Sequence, residues 1–327
     1  MFKNKMKSNE KSNDIVMVSI ICITYNHEAY IREAIESFLM QKTNFAFEII
    51  IHDDCSTDGT GDIVREYAEK YPNLIKAIIQ KENQYSQNIP FMAKYMYPIS
   101  KGKYFAICEG DDYWIDPYKL QKQVDAMEKH PEVDACTHKQ VQYHAITHEK
   151  LAVKSHGDKA RILPLRDVII GEGGYVGTNT MLYRRDVLVS PLPFCKFMSY
   201  DYTWQIQGAL KGGILYLPEC MSAYNDSVPG SFCTRMKGNY EAERRYILKK
   251  LKMLDMLDED THYVYHSFIN ARRILYTVSC NNTVISNVQN LLKYFSGFIV
   301  LKWNDRIKTV VRLFFPYILR QRRNLKK

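Results

Sequence analysis

The stretch Lys103–Pro117, KYFAICEGDDYWIDP, decides how the chain is read. Tyr104, Phe105, Ala106, Ile107 and Cys108 form a short apolar run that fits a buried strand. The run ends in Glu109, Gly110, Asp111 and Asp112, and three carboxylates within four residues repel one another and are poorly placed in a core. A divalent cation resolves that conflict, and hard oxygen ligands suit Mg²⁺ or Mn²⁺. Gly110 is expected to let the backbone turn sharply as the strand leaves the sheet. In an open α/β sheet, ligands bind at the carboxyl ends of strands. The stretch therefore reads as an acidic metal clamp on the rim of a parallel sheet. The plainer reading is a turn or a helix cap, which a DD pair at a strand end often makes. Asp116 before Pro117 has the form of such a cap for the helical pattern that follows.

Upstream, apolar runs alternate with helical patterns. Ile15–Ile23, IVMVSIICI, is nearly continuous and fits a strand buried on both faces. Thr24, Tyr25 and Asn26 follow, and Ile31, Ile35, Phe38 and Leu39 then fall on one helical face. Phe45–Ile51 reads as the next strand, ending in a polar loop from His52 to Thr60. A helix with Ile63, Val64, Tyr67 and Ala68 inward follows and stops at Pro72. Leu74–Ile79 is a third strand, Asn83–Asn88 a polar loop, and Phe91–Tyr97 a helical turn. This alternation indicates βαβ units and a parallel sheet. No G-x-G-x-x-G follows the first strand and no G-x-x-x-x-G-K-[ST] is present, so dinucleotide and P-loop chemistries have little support. Phosphate charge must then be met otherwise, and a carboxylate-bound metal is the natural candidate.

The bulk numbers set limits. The 327 residues suffice for one large domain with an addition, or for two domains. A hydrophobic fraction of 46% with 25% charged residues is globular composition. The net charge of +9 is uneven: Lys293–Lys327 holds ten basic residues against Asp305 alone, and the body before it is near neutral. A basic end points to an anionic surface, either membrane or nucleic acid. None of the eight cysteines forms a CxxC pair, which disfavours zinc, and several sit in apolar runs, which points to a reducing compartment. The first fourteen residues read as a disordered tail without the apolar core of a signal peptide. No uncharged apolar run approaches the roughly 20 residues that span a bilayer.

Three ordered motifs, VSIICITYNHEAYIREAIESFLMQ, EIIIHDDCSTDGT and GKYFAICEGDDYWIDPYKLQKQ, make the chain resemble the catalytic core of family-2 glycosyltransferases. It is similar to bacterial members that build capsule and other surface polysaccharides. The resemblance runs from about Val16 to about Tyr224. It implies an α/β fold of the GT-A type, a Rossmann-like α/β/α sandwich. It also implies a UDP-sugar donor, a Mn²⁺ or Mg²⁺ ion, and inversion at the anomeric carbon. By the family pattern, Thr24 and Tyr25 lie beside the nucleotide base, and Asp54 accepts its ring N–H. Glu109, Gly110 and Asp111 fall on the D-x-D motif, with Asp111 the metal ligand and Asp112 a second candidate. The first D-x-D position is Glu here, and Cys55 stands where Gly or Asn is usual. Asp201 matches the catalytic base at the start of a helix. The Arg and His that follow the final Tyr in the family are Asn225 and Asp226.

Other residues read more plainly. Asp53 and Asp58 suit a cap or turn, and Trp114 suits either a sugar face or the wall of the fold. His138, His144, His148 and His156 lack a metal-ligand spacing and read as surface or loop residues. Gly171–Gly177 suits close backbone approach or a moving loop. Asp201 could also serve only as a helix cap. As a base, it would take the proton of an acceptor hydroxyl, which is a poor nucleophile unaided. After about Met236 the chain turns helical, with Tyr246, Leu248, Leu251, Leu254 and Leu257 core-like. Its last segment sets Ile307, Val310, Val311, Phe314 and Ile318 against Lys308, Arg312, Arg320 and Arg323. Such a helix lies in a membrane interface or docks on the domain, and Pro316 should kink it.

The expected organisation is a tail (1–14), a glycosyltransferase domain (15–232) and a helical extension with a basic end (233–327). The expected setting is cytoplasmic, peripheral on the inner face of the membrane. The partners are a UDP-sugar, a glycan or lipid-linked acceptor and an anionic membrane, with no nucleic acid because no recognition motif accompanies the charge. Two other functions compete. A sugar nucleotidyltransferase would carry a glycine- and arginine-rich first loop, which TYNHEAY is not. A non-catalytic assembly partner would not need carboxylates at Asp54, Asp111, Asp112 and Asp201.

Overall fold

The computed structural model describes residues 15–236, 238–280 and 284–314. The expected tail (1–14) and Pro316, Ile318, Arg320 and Arg323 lie outside the described residues.

The first strand, β1 (Val16–Thr24), is followed by α1 (Ile31–Leu39), β2 (Ala46–Asp53), α2 (Thr60–Lys70) and β3 (Ile75–Ile79). A π-helical turn at Met92–Met96 leads to β4 (Tyr104–Ile107). These four strands pair in the order β3-β2-β1-β4, all parallel, as the alternating pattern predicts. β1 is largely apolar because both faces are covered, with buried Ser19 donating to Glu48 Oε1 at 2.7 Å. Ile21 joins one core with Ile50, Phe105 and Ile107, while Val18, Ile20 and Cys22 join the other with Ile49, Ile51 and Tyr104.

The second half departs from a purely parallel sheet. It comprises β5 (Tyr113–Trp114), α3 (Lys119–Lys129), β6 (Ala135–His144), β7 (Lys150–Lys154), β8 (Arg161–Leu163), α4 (Leu165–Gly171) and β9 (Leu182–Arg184). There follow α5 (Arg185–Val189), α6 (Pro193–Phe197), α7 (Asp201–Ala209) and β10 (Ile214–Asp226). Short β9 enters between β4 and β6, antiparallel to both, and beyond it β6 and β10 run parallel. The sheet is therefore mixed. A three-residue strand carries too little periodicity to announce itself in sequence.

The helical continuation holds α8 (Phe232–Met236), α9 (Tyr240–Asp260), α10 (His266–Cys280), α11 (Val284–Lys293), α12 (Phe295–Val300) and α13 (Trp303–Phe314). Met253, Leu254 and Leu257 of α9 and Ile269 and Tyr276 of α10 share a core with Phe194, Tyr202 and Trp204. This helical region thus packs on the same face of the sheet as α6 and α7. Leu248, expected in that core, is exposed, because the buried stripe of α9 runs through Met253, Leu254 and Leu257 and Leu248 falls off its helical period.

The histidines need a second correction. His138 is buried on β6, and burial, then Lys119, hold its imidazole well below the ordinary histidine range. It is a neutral core side chain whose Nδ1 bonds the Lys139 carbonyl at 2.8 Å. His156 is half-buried and packs against Tyr175 and Tyr216. His148 is exposed, as expected. Trp114 is a wall residue: it is buried against Phe38, and its indole N–H donates to the Asn179 carbonyl at 3.0 Å.

Candidate active site

The acidic turn sits where β4 runs out beside β1. Gly110 N–H donates to the Ile23 carbonyl at 2.8 Å, and Asp112 N–H to the Glu109 carbonyl at 3.1 Å. Gly110 is not among the residues with positive φ, so a special turn conformation is not why glycine is needed. Space is the reason: a Cβ there would stand 2.6 Å from Thr24 Oγ1 and 2.9 Å from Ile31 Cδ1. The turn is clamped from across the sheet by Asn225 of β10, whose Nδ2 donates to the Asp111 carbonyl at 2.7 Å. Its backbone N–H donates to Asp112 Oδ1 at 2.9 Å. Asp112 is buried behind the turn, while Glu109 and Asp111 are half-buried. Asp111 Oδ2 lies 3.6 Å from His27 Nε2.

Crowded negative charge marks this turn. Burial, then Asp111, then Asp201, push the Glu109 carboxyl up to about 8. Burial, then Asp111 and Glu109, hold Asp112 well above the carboxylate range, against donors from Asn225 and Asn179. Groups so placed favour protons unless a cation joins them. Among the described residues no three His, Cys, Asp or Glu side chains form a ready-made metal cage. Mg²⁺ and Mn²⁺ do not require one, since they accept one or two carboxylates with water and phosphate oxygens. The donor set at Glu109 and Asp111 therefore fits such an ion.

Beside this turn, the loops after β1 and β2 are stitched together. Asp54 N–H donates to the Thr24 carbonyl at 3.0 Å, and Asn26 N–H to Ser56 Oγ at 2.9 Å. Thr24 is buried and its hydroxyl has no partner among the described residues; Tyr25 follows it, half-buried. The Asp54 carboxylate accepts from the backbone N–H groups of Gln84 and Tyr85 at 2.7 and 3.0 Å, fixing the polar loop after β3. Asp53 bonds Ser56, and Asp58 accepts from Thr60 N–H at 3.0 Å in the turn before α2, the plain role expected of it. Cys55 has φ 65°, the left-handed region that Gly and Asn enter most readily. That accounts for the residue types usual at this position.

Asp201 is the first residue of α7 and not its cap. Tyr200 holds the cap position, and its backbone N–H donates to Thr203 Oγ1 at 3.2 Å. Asp201 Oδ1 accepts from Tyr202 N–H at 2.7 Å. Burial raises its carboxyl above the usual range, opposed by that hydrogen bond, Lys250 and Lys154. The loop after α4 passes against it: a Cβ on Gly173 would lie 2.8 Å from Asp201 Oδ2, and the Gly173 carbonyl accepts from Gln205 at 3.1 Å. Gly173→Ala is therefore expected to lower turnover about 10-fold or more with little change in melting temperature, because a small displacement of a reacting group is costly. Steady-state kinetics beside a thermal melt checks this.

The fold thus brings together Glu109, Asp111, Asp112 and Asp201, with Thr24 and Asp54 on the adjoining strand ends. Four contributors had escaped the sequence reading. His27 lies inside TYNHEAY, and its motif was a usable signal. Asn225 sits where the family pattern is broken, which was a second signal. Lys154 on β7 is near both Asp201 and Asp112, and Lys250 on α9 is near Asp201. Nothing local distinguishes either lysine.

The model of the Glycosyl transferase family 2 matches residues 19–190, more than half of the chain. The chain belongs to this family. The matched span includes the acidic turn and the Gly173 loop but ends before Asp201. An uncharacterised protein of Mycobacterium tuberculosis is 35% identical over 219 residues, 65% of this chain and 60% of the relative. The match thus spans less than two thirds of that relative's length. The Escherichia coli UDP-Glc:alpha-D-GlcNAc-diphosphoundecaprenol beta-1,3-glucosyltransferase WfaP is 37% identical over 112 residues, 34% of this chain and 41% of WfaP. Staphylococcus aureus TarS 1–349, solved in complex with UDP-GlcNAc, superposes with a TM-score of 0.54 at 18% identity, over 92% of this chain and 81% of TarS. That likeness concerns the fold. The chain has the GT-A architecture, a mixed α/β sheet between helical layers, followed by a helical C-terminal region.

Proposed function

We propose that this glycosyltransferase moves one sugar from a UDP-sugar to a hydroxyl of a lipid-linked or growing bacterial surface glycan, with inversion. The observation that carries this is electrostatic and positional: Asp111 and Asp201, far apart in the chain, both bear on Glu109. A candidate diphosphate site and a candidate base therefore lie close together in space. The base of UDP would lie against Thr24 and Tyr25, with Asp54 beside it. Asp201 would take the acceptor proton as the hydroxyl attacks the anomeric carbon from the face opposite UDP. Asp111, with Glu109, would hold Mn²⁺ or Mg²⁺, which offsets the charge of the departing diphosphate. Asp112 would back Asp111 through the Asn225 clamp. Lys154 would help keep Asp201 ionised.

A panel of UDP-sugars incubated with the protein and Mn²⁺, read as UDP release, tests the reading. No release from any of them, alongside conversion of a sugar phosphate plus nucleoside triphosphate, would replace it with nucleotidyl transfer.

The protein is further proposed to act at the cytoplasmic membrane face. Among the described residues no helix is long and apolar enough to cross a membrane. Instead, α13 buries Thr309 and exposes Trp303, Ile307 and Val311 alongside Lys308. Exposed apolar residues flanked by cations suit an anionic interface. The protein should cosediment with phosphatidylglycerol vesicles and release with salt. Trp303→Ser with Ile307→Ser should cut the bound fraction at least about threefold; equal sedimentation of both proteins would refute the membrane role.

A further inference from the structure

A cavity of about 760 Å³ lies between α4 and the following loop on one side and α9, α10 and the α12–α13 segment on the other. Six cationic side chains line it: Arg166, Lys250, Arg272, Lys302, Lys308 and Arg312. Three carboxylates line it too. Asp167 lies 3.8 Å from Arg166, and Asp305 lies 3.6 Å from Lys308. Glu172 is gripped by both Lys250 and Arg272 and accepts from Tyr276 OH at 2.6 Å. Among the described residues Lys302 and Arg312 have no carboxylate within ion-pair distance. Cations gathered on a concave surface in excess of their internal partners focus an attractive field for anions.

The position of this cavity gives that charge a purpose. Glu172 has φ 63° and ψ −175°, a conformation rare outside glycine, and its ion pairs hold it there. The next residue, Gly173, lies directly against Asp201. Lys250 both lines the cavity and acts on Asp201. An anion held here stands beside the residue assigned to deprotonate the acceptor. Apolar and aromatic walls from Tyr175, Phe268, Leu275 and Tyr276 accompany the charges, as a phosphorylated glycan or its lipid would require. The helix that lends Lys308 and Arg312 to the cavity also carries exposed Trp303 and Ile307 at its start.

We propose that this cavity binds the phosphate or diphosphate of the acceptor, so that the substrate class is an anionic, phosphate-bearing glycan. The assignment rests on the glycosyltransferase reading above and deepens it. Phosphate oxygens would accept from Lys302 and Arg312, with Arg166 and Lys308 at the rim, and the sugar hydroxyl would extend past Gly173 toward Asp201. Nothing covalent happens at this site.

The test uses the full chain in EDTA, so that no divalent ion carries the probe to Asp111. Binding of radiolabelled inorganic pyrophosphate and of farnesyl diphosphate is measured by equilibrium dialysis. Saturable binding of pyrophosphate is expected, weakened at least 10-fold in Lys302→Glu with Arg312→Glu. If that variant melts below the wild type, Lys302→Gln with Arg312→Gln replaces it, with a loss of at least 5-fold expected. Farnesyl diphosphate binding at least 10-fold tighter than pyrophosphate supports the site and assigns a lipid-linked acceptor. Equal affinities support the site and assign a phosphate within the glycan. No saturable binding, or equal binding by wild type and a folded variant, overturns the site. Failure here in a protein that still releases UDP from a UDP-sugar condemns only this inference. Pyrophosphate binding by a protein that turns over no nucleotide-sugar condemns the functional reading instead.

Discussion

Asp201→Asn is expected to lower sugar transfer by at least about 100-fold, the usual scale for losing a positioned general base. The amide keeps the shape of the side chain and, like Asp, serves well as a helix cap. A purely structural Asp201 would therefore tolerate the change. Stability should not suffer, because Tyr200 and Thr203 perform the capping and burial disfavours the ionised carboxyl. The sign follows for pH as well. Transfer needs the carboxylate, so kcat/KM falls as pH drops through a pKa raised above the ordinary aspartate value of 3.8. The acid limb should thus appear at a higher pH than an exposed aspartate would give. Lys154→Met, which removes a charge that favours the carboxylate, should move that limb higher still. For stability the same shift acts in the opposite sense. A group that binds its proton more tightly when folded adds stability as pH falls through its raised pKa. Asp201→Asn should therefore melt no lower than wild type at neutral pH. Wild-type turnover in the Asn variant, or an unmoved acid limb in Lys154→Met, would remove Asp201 from the role of base.

Asp111→Ala should abolish the response to Mn²⁺ and reduce transfer by about 100- to 1,000-fold, the scale of losing several kcal/mol of charge stabilisation. Asp111 is the half-buried carboxylate of the turn and raises the carboxyls of Glu109 and Asp112. Removing it relieves like-charge repulsion, so the variant should fold and melt at or above the wild-type temperature without ligand. The distinction appears on adding Mn²⁺ and UDP. Ligands that bind the native state raise the apparent melting temperature, and only wild type should respond. An equal thermal shift in both proteins would place the diphosphate elsewhere. Equal rates of UDP release in both would deny the acidic turn any part in catalysis.

Much of this was legible in the chain itself. Burial on both faces leaves a strand largely apolar, so β1, β2 and β4 stood out as runs, and helical periodicity placed α1 and α2 between strands and α3 after the acidic turn. The acidic turn was visible because three carboxylates after an apolar run contradict their surroundings. Local contradiction is what a sequence records well. Gly110 was noticed for the wrong reason: the nearness of Thr24 on another strand demands it, and no pattern around residue 110 contains that fact.

Local order thus determined the strands, their alternation with helices and the candidate carboxylates one at a time. Tertiary structure alone decided their company. It slipped β9 backwards between β4 and β6, sank His138 into the core, tied Asp54 to the loop after β3, and carried Lys154 and Lys250 to Asp201. Strand order, not spacing along the chain, sets those distances, and Coulomb interactions and desolvation depend on distance and burial in space.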